Sequence, residues 1–137
     1  MSSEEELRRA ILEVRLLEGT AESLQTRLSL LEAARTEFQM SEAALTGLSE
    51  HREEPVLVPI GGGSYIKARL EDREKVIVGV GAGVALEKSF DEAKQIAGSQ
   101  LGELEKARGT LQQQLAQVLN GLEAARGKIR ELSQREK

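Results

Sequence analysis

One histidine, one tyrosine and two glycine clusters are the residues from which chemistry would have to be built in this 137-residue chain. His51 stands alone in "EHREE". A single imidazole supplies neither a histidine metal cluster nor a catalytic dyad. Just ahead of Pro55 it reads as a solvated helix-end residue, where positive charge is favoured. Tyr65 follows the first glycine triplet and reads as packing or interface rather than as a catalytic phenol. There is no cysteine, hence no disulfide and no thiolate ligand. The segments Gly61-Gly62-Gly63 and "GVGAG" (79–83) invite a phosphate reading. A dinucleotide fingerprint, however, opens onto a helix, and here Val84 continues into a strand; a P-loop needs Gly-Lys-Ser/Thr, which neither segment has. Both are expected to be hairpin turns, made by Gly61, Gly62, Gly63, Gly81 and Gly83. Asp and Glu alternate with Lys and Arg in solvated patterns, and no carboxylate pair is isolated in an apolar setting as acid–base catalysis prefers. No catalytic, cofactor-binding or metal residue is therefore expected, and no enzyme.

The formal charge is −4, and the 19 basic residues are interspersed with 23 acidic ones. A nucleic-acid partner would call for a basic stripe, and there is none. The opening "MSSEEELRRAILEV" has no apolar signal core, and no run approaches membrane-span length. A soluble, cytoplasmic protein without membrane contact is expected. Aromatic residues are 2% of the chain. Apolar residues that are mostly Leu, Val, Ile and Ala suit a thin helix–helix seam better than a thick globular core.

Residues 3–50 carry such a seam. Leu7, Ala10, Val14, Leu17, Ala21, Leu24, Leu28, Leu31, Arg35, Phe38 and Leu45 recur at steps of three and four, interrupted by Glu42. Ser3 and Glu6 have capping-box spacing, and Pro55 forbids continuation. Residues 89–135 form a second helical stretch, with Ser89 and Glu92 as its capping box. Its seam runs Phe90, Ala97, Leu101, Leu104, Arg108, Leu111, Leu115, Val118, Leu122, Ala125, Ile129 and Leu132. Two heptad helices of matched length around a central insert are expected to fold back as an antiparallel coiled coil, each about 70 Å long at about 1.5 Å per residue. Seven helix glycines and the seam arginines Arg35 and Arg108 argue against a maximally stable zipper.

Between the helices, residues 56–88 change period. "VLVPI", "SYIKARL", "KVIVGV" and "VALEK" are short β-branched runs bounded by turn signals, so two β-hairpins of four strands are expected. The hairpins repeat: Val58 matches Val78, Ile60 matches Val80, Gly61 matches Gly81 and Ile66 matches Leu86. Both faces of the strands are largely apolar, isolated hairpins are marginal in water, and the helices already use their apolar stripes on each other. The hairpins are thus expected to join those of other chains in shared sheets, an oligomerisation platform within a single mainly α domain.

The order helix, hairpin, hairpin, helix, with "LVPIGGGSYIKARL" and "VIVGVGAGVALEKSFDEA", resembles the alpha subunits of archaeal prefoldin. The likeness is most specific over residues 57–93, and two hairpins instead of one mark the alpha class. It implies a heterohexamer with prefoldin beta subunits, two alpha and four beta, whose hairpins build a double β-barrel platform carrying coiled-coil arms. It further implies an ATP-independent holdase whose arm tips bind unfolded proteins and pass them to a group II chaperonin. Carried onto this sequence, the platform residues are Val56, Val58, Ile60, Tyr65, Ile66, Val76, Val78, Val80, Val84 and Leu86. The client-binding tip would draw on Leu7, Ile11, Val14, Leu122, Ile129 and Leu132. The competing reading is a structural coiled-coil adaptor without chaperone activity.

Overall fold

The computed structural model describes residues 2–135, which form α1 (Ser3–Glu50), β1 (Val56–Gly61), β2 (Ser64–Ala68), β3 (Lys75–Gly81), β4 (Val84–Ser89) and α2 (Phe90–Arg135). Local chemistry explains the helix ends. At the start of α1 the Ser2 hydroxyl accepts the Glu5 N–H at 3.2 Å and the Ser2 carbonyl accepts the Glu6 N–H at 3.1 Å. The cap is thus Ser2 and not Ser3. The two serines are adjacent, and Ser2–Glu5 has the same spacing as Ser3–Glu6. Glu4, Glu5 and Glu6 fill the first turn, where negative charge meets the positive end of the helix dipole.

Beyond Glu50 the chain turns towards Pro55, and the Arg52 guanidinium closes the end by donating from Nε to the Ser49 carbonyl at 3.1 Å. The same guanidinium lies 4.6 Å from the ring centroid of Phe90, the first residue of α2 and only 2% exposed. One side chain therefore ties the end of α1 to the start of α2. Ser89 caps α2: its hydroxyl oxygen accepts the Glu92 N–H at 3.1 Å and lies 3.2 Å from Glu92 Oε1.

The fold divides into two compact units. The first combines α1 up to Ala34 with α2 from Leu104 onward. Its helices are antiparallel: Leu17 packs against Gly121, where a Cβ would stand 3.4 Å from Leu17 Cδ1, Glu18 pairs with Arg126, and Glu32 pairs with Arg108. Its core is Val14, Ala21, Leu122 and Ala125, flanked by Leu17, Leu115, Val118 and Ile129. Heptad spacing selected all eight. Arg108, in the seam, meets Glu32 across the helices and Glu105 on its own, so its charge is matched where it can only partly reach water.

The second unit, Arg35–Glu103, holds the hairpins. Phe90, Ala93 and Ala97 are buried at the start of α2; Ala93, outside the expected seam, fills the step between the other two. The strands form two separate antiparallel pairs, β1 with β2 and β3 with β4. Their registers are copies: Val58 opposes Ile66 as Val78 opposes Leu86, and both ladders shift register between the proline or glycine at 59 or 79 and the glycine two residues on. The sequence suggests three-residue glycine loops. Instead each turn has two residues, 62–63 and 82–83, and Gly61 and Gly81 sit at bulges with φ of 99° and 105°. Two-residue loops with positive φ at both positions match the right-handed twist of the flanking strands.

Ala82 departs from the pattern, adopting φ 52° where the first hairpin has Gly62. Left-handed backbone costs a residue with a Cβ about 1–2 kcal/mol. Ala82→Gly is expected to strengthen the β3–β4 hairpin by about 1 kcal/mol, after allowing for glycine's greater freedom when unfolded. Native-state hydrogen exchange of the β3–β4 amides should slow by about fivefold. The β1–β2 amides, whose turn is already glycine, serve as the internal control.

The connection between the hairpins is held by Asp72. Its carboxylate accepts the N–H groups of Glu74 at 2.9 Å and Lys75 at 3.1 Å, and these two bonds hold its pKa below the usual carboxylate value.

Candidate interaction surfaces

The hairpins display apolar side chains on both faces. Because side chains alternate along a strand, the register places Val58 with Ile66, and Val78 with Leu86, on one face of each pair. Leu57, Pro59 and Tyr65 lie on the opposite face of the first hairpin, and Ile77 on that of the second. Of the ten residues expected to build a platform, Val58, Ile60, Tyr65, Ile66, Val80, Val84 and Leu86 are between 43% and 59% exposed. Val56, Val76 and Val78 are half-buried. The last two line a cleft of about 590 Å³ between β3 and the helices, where Phe38, Leu45 and Ala97 face them.

Two residues with the same character are absent from the expected set. Leu57 is 61% exposed and Ile77 is 76% exposed, the highest value of any large apolar side chain in the chain's described part. They are equivalent positions of the two hairpins. The twenty-residue repeat that pairs Val58 with Val78 pairs Leu57 with Ile77 as well, so the repeat was the signal that could have found them. Small two-stranded sheets with both faces apolar and exposed are marginal alone.

The six residues expected to contact a client divide. Val14, Leu122 and Leu132 are buried in the seam, Leu7 and Ile129 are half-buried, and Ile11 alone is exposed. Val14, Leu122 and Ile129 are brought together, as packing between the helices. While the seam is closed their surface is not offered outward. The same stretch of α1 instead exposes Leu12 and Leu16, by 57% and 64%.

Among the described residues no group of three His, Cys, Asp or Glu is placed to hold a metal ion, and no helix is long and apolar enough to cross a membrane. His51 Nδ1 lies 3.3 Å from Glu54 Oε1, both exposed, at the end of α1.

Comparison with known proteins bears on these surfaces. A family model described as "Prefoldin subunit" matches residues 17–135. The prefoldin subunit alpha of Methanopyrus kandleri is 41% identical over 113 residues, 82% of this chain and 72% of its own length. That of Pyrococcus horikoshii is 34% identical over 133 residues, 96% of this chain and 90% of its own. Among solved structures, a chain of the filamentous PFD of Methanocaldococcus jannaschii, determined by cryo-electron microscopy, superposes with a TM-score of 0.68 at 26% identity, covering 82% of this chain and 93% of that one.

Proposed function

The chain belongs to the prefoldin family, in its alpha-subunit class, and on that premise we propose that it is a subunit of an ATP-independent holdase. The hairpins join it to prefoldin beta subunits in a heterohexamer of two alpha and four beta chains. The helical unit binds unfolded polypeptides and passes them to a group II chaperonin in the cytoplasm. No catalytic step is assigned to it. The observation that carries this reading is the exposed apolar character of both hairpins: seven expected platform residues, with Leu57 and Ile77, leave more surface open to water than a single stable chain would keep. Sheets shared between chains would cover these side chains and pair the strand edges. Client contacts need only be weak, because several subunits acting on one chain multiply their effect.

The adaptor reading predicts the same assembly without protection of unfolded proteins. Mixing the full chain with a prefoldin beta subunit separates the two. The expected result is a heterohexamer that, at roughly equimolar amounts and without nucleotide, suppresses aggregation of a chemically denatured protein on dilution. Assembly with aggregation unchanged would sink the holdase reading; failure to assemble would sink the platform.

A further inference from the structure

We propose that the client-contacting surface of this chain is the outward face of α1 around Leu12 and Leu16, and that it selects apolar segments of unfolded chains flanked by acidic residues. The inference rests on the holdase reading and names the substrate class of that function. Leu12 is two residues from both Ala10 and Val14, which are buried in the seam, so it lies about 160° round the helix from each. Leu16 follows one turn later on the same outward side. Neither contributes to the seam, and both are more than half exposed.

The residues around them give the surface a sign. Glu5, Arg8, Arg9, Glu13 and Arg15 reach the same side at helical spacing and are all exposed. Three arginines against two glutamates leave this face net positive by one on a chain whose formal charge is −4. No salt bridge among the described residues engages Arg8, Arg9 or Arg15. Guanidinium groups round an apolar strip complement a segment whose apolar side chains are flanked by carboxylates. A second copy of this chain fits poorly, because it would present the same positive charge. Two leucines also supply far less than the roughly 800 Å² per partner of a stable folded interface. A weak contact of this size suits an extended segment held by several subunits at once.

The test uses the full chain assembled with its beta partner and two fluorescent 20-residue peptides of identical apolar centre, one flanked by glutamates and one by lysines. The glutamate-flanked peptide is expected to bind about tenfold more tightly at low salt, with the gap closing at about 0.5 M salt. Leu12→Ser/Leu16→Ser should weaken both peptides by about tenfold, and Arg8→Glu/Arg9→Glu/Arg15→Glu should reverse the preference. Helical content and assembly mass should match wild type in each, since all five side chains are exposed; a variant that changes either is replaced by Leu12→Gln or by a single arginine reversal. Equal binding of the two peptides by the wild type, or unchanged binding after the leucine substitutions, overturns the proposal. If aggregation is still suppressed in that case, the holdase reading stands and only the assignment of the face falls. A wild-type assembly that neither suppresses aggregation nor binds either peptide overturns both. A fall in the mass of the chain alone on Leu12→Ser/Leu16→Ser would assign the face to self-association instead.

Discussion

An Ile66→Asp/Leu86→Asp double variant is expected to keep both helices and lose assembly. Ile66 is 53% exposed and Leu86 46% exposed, so neither is needed to close the fold of one chain. They oppose Val58 and Val78 in register, at equivalent positions of the two hairpins. If shared sheets cover them, each contributes about 1.5–3 kcal/mol of apolar burial in the complex. Aspartate removes that contribution and adds the cost of taking a carboxylate from water without a partner. Two such changes amount to at least about 5 kcal/mol per chain, several thousandfold in an association constant. The measured mass with a beta partner should fall to that of free subunits, while the far-ultraviolet helical signal stays within about a tenth of wild type. A heterohexamer of unchanged mass and stability would show that these faces are not where subunits meet.

The seam was legible because a heptad repeat states its own geometry. An apolar residue at alternating steps of three and four must lie on one side of a helix, and the named positions from Leu7 to Leu45 and from Phe90 to Leu132 are all buried or half-buried. The hairpins were legible for a related reason: glycine clusters between β-branched runs admit few alternatives. Missed features share a different cause, a choice between neighbours that sequence weighs equally. Ser2 and Ser3 offer the same cap one residue apart. Ala82 takes a left-handed conformation that alanine does not advertise, imposed by a ladder whose sister hairpin has glycine there. The client-binding expectation named Leu7, Ile11, Val14, Leu122, Ile129 and Leu132, of which all but Ile11 are buried or half-buried in the single chain. The seam is closed as far as Leu132, which is 2% exposed, and the exposed large apolar side chains near the start of α1 are Ile11, Leu12 and Leu16.

Six of the seven helix glycines separate into two physical kinds, and the second kind carries the other large expected effect. A Cβ on Gly98 would stand 3.4 Å from Glu42 Oε1, and one on Gly121 would stand 3.4 Å from Leu17 Cδ1, so these two occupy tight contacts between helices. At Gly19, Gly47, Gly102 and Gly109 a Cβ would meet nothing within 4 Å. Packing does not account for glycine there, although each costs about 1 kcal/mol against alanine in a helix interior. Replacing all four with alanine is expected to raise stability by about 3–4 kcal/mol, nearly additively, since the closest two on one helix are about 10 Å apart. Denaturant unfolding at fixed protein concentration should show this as a higher midpoint with an unchanged slope. The same variant tests why the weakness is there. Glycine lets a helix open locally at modest cost, and a helical unit that adapts to clients of different size uses that freedom. Suppression of aggregation by the stiffened assembly should therefore weaken severalfold for a large denatured client and change little for a small one. Equal suppression for both, alongside the gain in stability, would show that the open glycines serve no motion in client binding.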